Sequence, residues 1–429
     1  MKQGVREFSD ILLILITVFS IIPSIGLVFN TFGFHWTAYR IVVVFAFVLS
    51  LLIRNGQIKL QPKAFTERIA AILLFWVLYG LVLLIISEYS NKHGGLVELL
   101  SISYAFLVLV TIRIIGISES KVNIVKSTII FVFCFLLVFA FVEIITGDHL
   151  PTSIFNDPQI PVDRFPSHHL ATGFSYNPND FSAMLTCLFP IVFIFGKTAL
   201  KWVCLLGVIT INLINDATIC NIAIIVSLLL YYVTLNSVPK GRLILRRLVL
   251  IVAIVLIILF FLYGQSFLVK RDDFLGTISR QLFYAQRGTG SLYNRAIIYR
   301  DSIAAWSQGG FFGFGPASFT NYFTVWSSKS GMVNPHSLWI ELLFQYGIII
   351  AILYIGFLIN LIIKSRKLYL SRNRSRNSKY YIMIVLVIII YFIVAFAPSA
   401  FLSYPYQWLL VAFCCMILDV KGDNDKFSI

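Results

Sequence analysis

The chain has 429 residues, of which 59% are hydrophobic and 12% charged, with a mean hydropathy of +0.88. A water-soluble domain carries about 25% charged residues, so half that share excludes a chain whose surface is mostly wet. The net charge of +15 invites a nucleic-acid reading, but its distribution along the chain argues for membrane topology instead.

Apolar runs of about 20 residues, the length that crosses a bilayer core, recur from end to end. The first, from about Ile11 to Phe29, follows Lys2 and Arg6. It is too long for a signal-peptide core, and Asn30-Thr31-Phe32-Gly33 is a poor cleavage site, so it reads as an uncleaved first span. Hydropathy then predicts spans at 10–29, 37–53, 69–87, 96–115, 124–146, 180–196, 199–215, 217–235, 248–264, 337–361, 380–397 and 405–419. Asn212, Asn215, Asp216 and Asn221 interrupt the pair over 199–235. A lipid-facing backbone must satisfy its own hydrogen bonds, and these runs are too long and evenly apolar for barrel strands. The expected fold class is all-α, a polytopic integral membrane protein of about 12 spans forming one domain over 1–429.

Basic residues test that count independently, because cytoplasmic segments are enriched in Lys and Arg. With the N-terminus inside, 24 of the 34 basic residues fall on the cytoplasmic side and 10 outside. An odd number of spans would scramble this alternation, so both termini are expected in the cytoplasm. The run from Arg366 to Lys379 is the strongest inside signal, with anionic lipid a natural neighbour. Six cysteines (Cys134, Cys187, Cys204, Cys220, Cys414, Cys415) all lie in apolar segments, as small buried hydrophobes do, and no zinc or disulfide spacing is apparent.

Two outer segments are long, 147–179 and 265–335. Long loops in a compact protein are usually functional or disordered, so the chemistry is expected on the outer face. Within the second, Arg295, Tyr299, Ser302 and Trp306 fall at helical spacing on one face. Gly309-Gly310-Phe311-Phe312-Gly313-Phe314-Gly315-Pro316 then ends that helix in a tight turn, and Asn334-Pro335-His336-Ser337 leads straight into the tenth span. Guanidinium forks grip phosphate oxygens at two points, which suits a lipid-anchored diphosphate. Equally, Arg295 and Arg300 could meet lipid headgroups or pair with Asp272, Asp273 and Asp301. His336 is suited to take a proton from an attacking hydroxyl, or to be a hydrogen-bonded helix-start residue. His168-His169 has no third metal ligand at useful spacing. Asp216 and Glu143, acids at the outer ends of spans, are functional suspects or solvated.

The order Arg-x4-Arg, Trp, Gly-Phe-Gly-Pro, then His-Ser-Leu-Trp-Ile-Glu-Leu-Leu-Phe-Gln-Tyr-Gly resembles the C-terminal signature of the bacterial O-antigen ligase/polymerase superfamily. Thr172-Gly173-Phe174-Ser175-Tyr176-Asn177-Pro178-Asn179 resembles that family's Gly-x-Phe-x-x-Pro-Asn entry to a middle span. By motif the resemblance covers roughly 170 to 350, and by architecture the rest. Ser337 stands where the family has Asn, Gln345 where it often has Glu, and Asp216-Ala217-Thr218 where it has Ser-Arg.

The resemblance implies a metal-independent, inverting glycosyltransferase of the bacterial inner membrane, without cofactor and without nucleic acid. Its donor would be an undecaprenyl-diphosphate-linked oligosaccharide and its partner a glycan acceptor, with a flippase and a chain-length regulator as further partners. It implies His336 as general base and Arg295, then Arg300, Arg287 and Arg164, as diphosphate ligands. Tyr299 and Trp306 would stack on sugar rings or anchor the membrane interface. A polymerase of repeat units for a capsule, exopolysaccharide or O-antigen leads, a ligase of finished glycan follows, and a transporter or flippase is the rival class. Few polar residues lie in midmembrane and no repeated halves are visible, which disfavours transport.

Overall fold

The computed structural model describes residues 3–24, 28–31, 34–53, 64–158, 168–234, 283–284, 287–288, 290–326, 328, 334–371, 378–396, 398 and 401–424. The expected ninth span, 248–264, lies outside them. The described residues form thirteen α-helices and one two-stranded hairpin. Five helices are long and apolar enough to cross a membrane: Phe65–Ile86, Lys92–Ile115, Glu119–Thr146, Pro178–Phe195 and Leu338–Ser371. Five more are apolar but shorter.

The first apolar run does not make one helix. Helix α1 covers Gln3–Ile21, and Pro23 then blocks continuation, since proline restricts the residue before it and lacks an N–H. Instead Val28–Thr31 (β1) pairs antiparallel with Phe34–Thr37 (β2), Val28 opposite Thr37 and Thr31 opposite Phe34. This corrects the expected span at 10–29 and adds a small hairpin to the all-α class. Tyr39 N–H donates to the Pro23 carbonyl at 3.1 Å, closing the turn into α2 (Ala38–Ile53).

Helices α3 (Phe65–Ile86) and α4 (Lys92–Ile115) form a hairpin. The α3 N-terminus has no local side-chain cap. Asp419 near the end of α13 (Pro405–Asn424) caps it from far along the chain, accepting from Phe65 N–H at 2.6 Å and from Thr66 N–H at 3.1 Å. Arg113 in the last turn of α4 pairs with Glu67 at 3.0 Å. One end of the bundle therefore gathers the start of α3 and the ends of α4 and α13. Lys126 in α5 (Glu119–Thr146) meets Tyr380 in α12 (Ser378–Val394) at 3.3 Å, and Tyr380 packs on Phe195 at the end of α6 (Pro178–Phe195) with ring centroids 4.6 Å apart.

The opposite end carries the loops. Asn177 accepts from Asp180 N–H at 2.9 Å and Pro178 occupies the first turn, the side-chain cap and fixed φ that start a helix. Helices α7 (Thr198–Ile214) and α8 (Thr218–Thr234) turn at Asn215, whose amide binds Ala171, Pro178 and Ser182 at 2.8–3.1 Å. Asn215 thus ties the end of α7 to α6 and the loop before it, and Asn212 adds a bond from α7 to Thr186 of α6 at 3.1 Å. Asp216 is exposed at the same turn with φ +53°. At the core, Trp76 of α3 packs edge-on against Tyr346 and Trp408, with centroids 5.2 and 6.1 Å away.

Candidate active site

Within 265–335, the described residues form a helix where the spacing of Arg295, Tyr299, Ser302 and Trp306 predicts one. Helix α9 spans Ser291–Gly309 and α10 spans Ser318–Trp326, and both dock on α11 (Leu338–Ser371). A small apolar core of Ile298, Ala305, Phe319, Phe323 and Phe344 joins the three. Burying such side chains stabilises by about 1.5–3 kcal/mol each relative to exposure, so α9 is held by packing and its polar face is presented by default.

Between α9 and α10 the glycine-rich turn interlocks with a kink in α11. Gly347 lies at φ +71°, outside helical geometry, and Gly313 at φ +94°. Phe314 N–H donates to the Phe344 carbonyl at 2.9 Å, Gly315 N–H to Gln345 at 2.8 Å, and Ile348 N–H to Phe311 at 3.2 Å. Phe311-Phe312-Gly313 thus fills the break in the α11 hydrogen-bond ladder. Tyr79 donates to the Phe312 carbonyl at 2.5 Å and Ser87 to that of Phe314, fastening the turn to α3.

Beneath the turn lies a polar cluster that sequence reading did not single out. Tyr346 hydroxyl donates to Glu98 at 2.6 Å, and Ala317 N–H is shared between Glu98 at 3.2 Å and Gln345 Oε1 at 3.0 Å. The Gln345 amide then donates to Glu341 at 3.2 Å. The signal was present: Glu98 and Glu341 are acids inside apolar runs, costly unless partnered. The cluster also accounts for Gln345, because a neutral amide can donate to Glu341 where a third carboxylate would repel it.

Arg295 and His336 come together at the end of the bundle that carries the loops. Arg295 donates from Nη1 to the Phe396 carbonyl, past the end of α12, at 3.2 Å. Its buried Nε has no hydrogen-bond partner among the described residues, and neither does the Trp306 indole N–H on the same helix face. Buried donors are nearly always satisfied, and exceptions call for an explanation. His336 sits at φ +46°, a left-handed conformation that His tolerates better than most residues. Asn334 Oδ1 accepts from its N–H at 2.9 Å, and Leu338 N–H donates to Ala395 at 2.8 Å, clamping the residue from both sides. Tyr299 reaches the His336 carbonyl at 3.5 Å. Burial first, and the Arg295 charge second, push the His336 imidazole down to about 4. It is therefore neutral at physiological pH, with one ring nitrogen unprotonated.

The other expected ligands are placed differently. Arg300 donates from Nε and Nη2 to one oxygen, Asp301 Oδ1, at 3.2 and 3.0 Å, with its side chain 65% exposed; it pairs with an acid, the alternative to holding phosphate. Arg287 is exposed, with its guanidinium 4.0 Å from the Phe283 ring centroid. Arg164 lies outside the described residues. Ser302 turns back on its own helix, donating to the Ile298 carbonyl at 2.5 Å. Trp306 stacks with Phe311 at 6.1 Å.

Glu143 is fully committed elsewhere. It is 1% exposed and accepts from Thr172 N–H at 3.0 Å and Gly173 N–H at 2.7 Å, with His149 at 3.3 Å. Burial alone would lower His149, but the Glu143 and His168 hydrogen bonds outweigh it and raise the imidazole. His169 bonds the Ile144 carbonyl at 2.8 Å. Among the described residues no three His, Cys, Asp or Glu side chains gather as a metal site would require.

Comparison with known families adds one result. Residues 202–355 match the model of the family described as O-antigen ligase, a stretch that includes α9, the glycine turn, His336 and the kink at Gly347. No curated protein matches the chain. The family match supports the O-antigen ligase/polymerase superfamily, and the apolar helices make this a multi-pass membrane protein.

Proposed function

We propose, with an O-antigen ligase-type membrane protein as the premise, that this chain transfers glycan from undecaprenyl diphosphate to a glycan acceptor at the outer face of the bacterial inner membrane. The supporting observation is the pairing of Arg295, whose buried Nε has no partner among the described residues, with His336, whose imidazole is neutral. In the proposed reaction an acceptor hydroxyl attacks the anomeric carbon and gives its proton to His336. The new glycosidic bond forms as the bond to diphosphate breaks, with inversion. Charge developing on the leaving diphosphate meets the Arg295 guanidinium, a preorganised donor in a water-poor site.

The electrostatics couple these two roles. A base whose pKa is about 4 is weak, but an anionic donor bound at Arg295 cancels the charge that helps depress it. The imidazole then rises, in the direction of the optimum for a general base, while burial, the larger cause of its depression, stays in place. Donor binding would thus switch on the base.

Polymerisation of repeat units, for a capsule, exopolysaccharide or O-antigen, is the preferred form; a ligase would share the site and differ in acceptor. Substitution in the host tests the assignment. Arg295→Ala and His336→Ala proteins should reach the membrane at normal levels and abolish polymer synthesis. Full synthesis in either would remove that residue from the mechanism.

A further inference from the structure

At the same end of the bundle, a cavity of about 190 Å³ lies apart from Arg295 and His336. It is walled by the N-terminal turns of α2 and α13, the outer half of α4, and the Phe174-Ser175-Tyr176 stretch before α6. Tyr39, Tyr104, Tyr404, Tyr406 and Trp408 contribute aromatic surface. Tyr39 and Tyr104 meet edge-on at 6.2 Å and Tyr404 stacks with Tyr406 at 5.9 Å, so the rings brace each other. Ser101, Ser175 and Ser403 add hydroxyls. Arg40 lines the cavity with its guanidinium 5.8 Å from the Tyr104 ring centroid. Among the described residues the lining holds no Lys, Asp or Glu.

Size, surface and charge each limit the occupant. A cavity of about 150 Å³ admits one benzene ring, so this one suits a single substituted six-membered ring. Aromatic faces beside scattered hydroxyls match a sugar, which has apolar C–H faces and a polar rim, and sites of this kind use a few placed polar groups for orientation. Arg40, the one cation among the described lining residues, matches one negative charge, and a planar guanidinium binds a carboxylate at two points. A diphosphate calls for more positive charge than Arg40 alone, and α9, which carries Arg295, contributes nothing to these walls.

We propose that this cavity is a glycan subsite for one acidic sugar residue, a uronic acid or its equivalent, whose carboxylate is held by Arg40 and whose ring packs against the tyrosines. The proposal rests on the glycan-transfer reading and names its substrate class: a glycan with an acidic residue. It also gives the Phe174–Tyr176 segment a role in recognition, beside the helix start that Asn177 and Pro178 provide.

Saturation-transfer NMR on the full-length protein in detergent tests it with methyl glucuronide, methyl glucoside and inorganic pyrophosphate as probes. A hydrogen bond to a charged group contributes about 1.5–3 kcal/mol, so the glucuronide should bind at least about tenfold more tightly than the glucoside. Arg40→Gln should erase that preference. Ser403→Trp, at an exposed lining position, should block both sugars while leaving Arg40 in place. Equal binding of the two sugars, a preference that survives Arg40→Gln, or no binding of either overturns the proposal. So does displacement of the glucuronide by pyrophosphate, which would assign Arg40 to the lipid diphosphate. Binding requires no turnover, so failure of glycan transfer would be seen separately in a reaction assay.

Discussion

Gly313 and Gly347 approach so closely that a Cβ on either would stand 2.7 Å from the backbone nitrogen of the other. Both have positive φ, so any side chain adds backbone strain to the clash, and a non-glycine residue there costs on the order of 1–3 kcal/mol before the clash is counted. Gly313→Ala or Gly347→Ala should lower thermal stability in detergent and abolish transfer. Gly309→Ala, with nothing within 4 Å of its Cβ, should leave both unchanged. Equal tolerance at all three would refute the interlock.

A pH profile probes the Arg295–His336 relationship. With His336 near 4 in the free protein, kcat/KM should stay flat down to about pH 5 and fall below it, since this parameter reports the free enzyme. The donor's negative charge stabilises the imidazolium, so the acid limb of kcat should lie at higher pH. Removing a cation also raises a neighbouring imidazole, so residual kcat/KM of Arg295→Gln should lose its rate at higher pH than the parent. Coincident limbs in all three would show that Arg295 does not act on His336.

Gln345→Glu separates this chain's polar cluster from the family pattern. The change places a third carboxylate beside Glu98 and Glu341 and removes the donor to Glu341. It should destabilise the protein by about 2 kcal/mol or more, read as a drop in Tm at neutral pH that narrows under acid. An unchanged Tm would mean that the cluster accommodates the charge.

Orientation in the membrane is open to labelling. Ser307 on α9 and Ser371 at the end of α11 are both exposed and belong to opposite ends of the bundle. In cells, an impermeant maleimide should label Ser307→Cys directly and Ser371→Cys only after the membrane is opened. The reverse pattern would invert the topology.

How much of this was legible in the sequence differs from element to element. Helices whose whole length is apolar were readable, because hydropathy and the bilayer's thickness impose the same period. The end of the first span was misread because Pro23 sits within an apolar run where hydropathy alone sees no break. On α9, spacing placed Arg295, Tyr299 and Trp306 on one face, and the glycines announced the turn. What that turn docks against was hidden, since Gly347 shows as a kink only once Gly313 is packed into it. Asp419 capping α3 and Arg40 facing the tyrosines are contacts between distant segments, which no local pattern encodes.

The most direct test is reconstitution: the purified protein in liposomes, given undecaprenyl-diphosphate-linked repeat units from its host, with no nucleotide sugar. A ladder of longer lipid-linked glycans should form and disappear in His336→Ala. Parent protein that transfers no glycan to a second repeat unit or to an added host acceptor would contradict the proposed reaction.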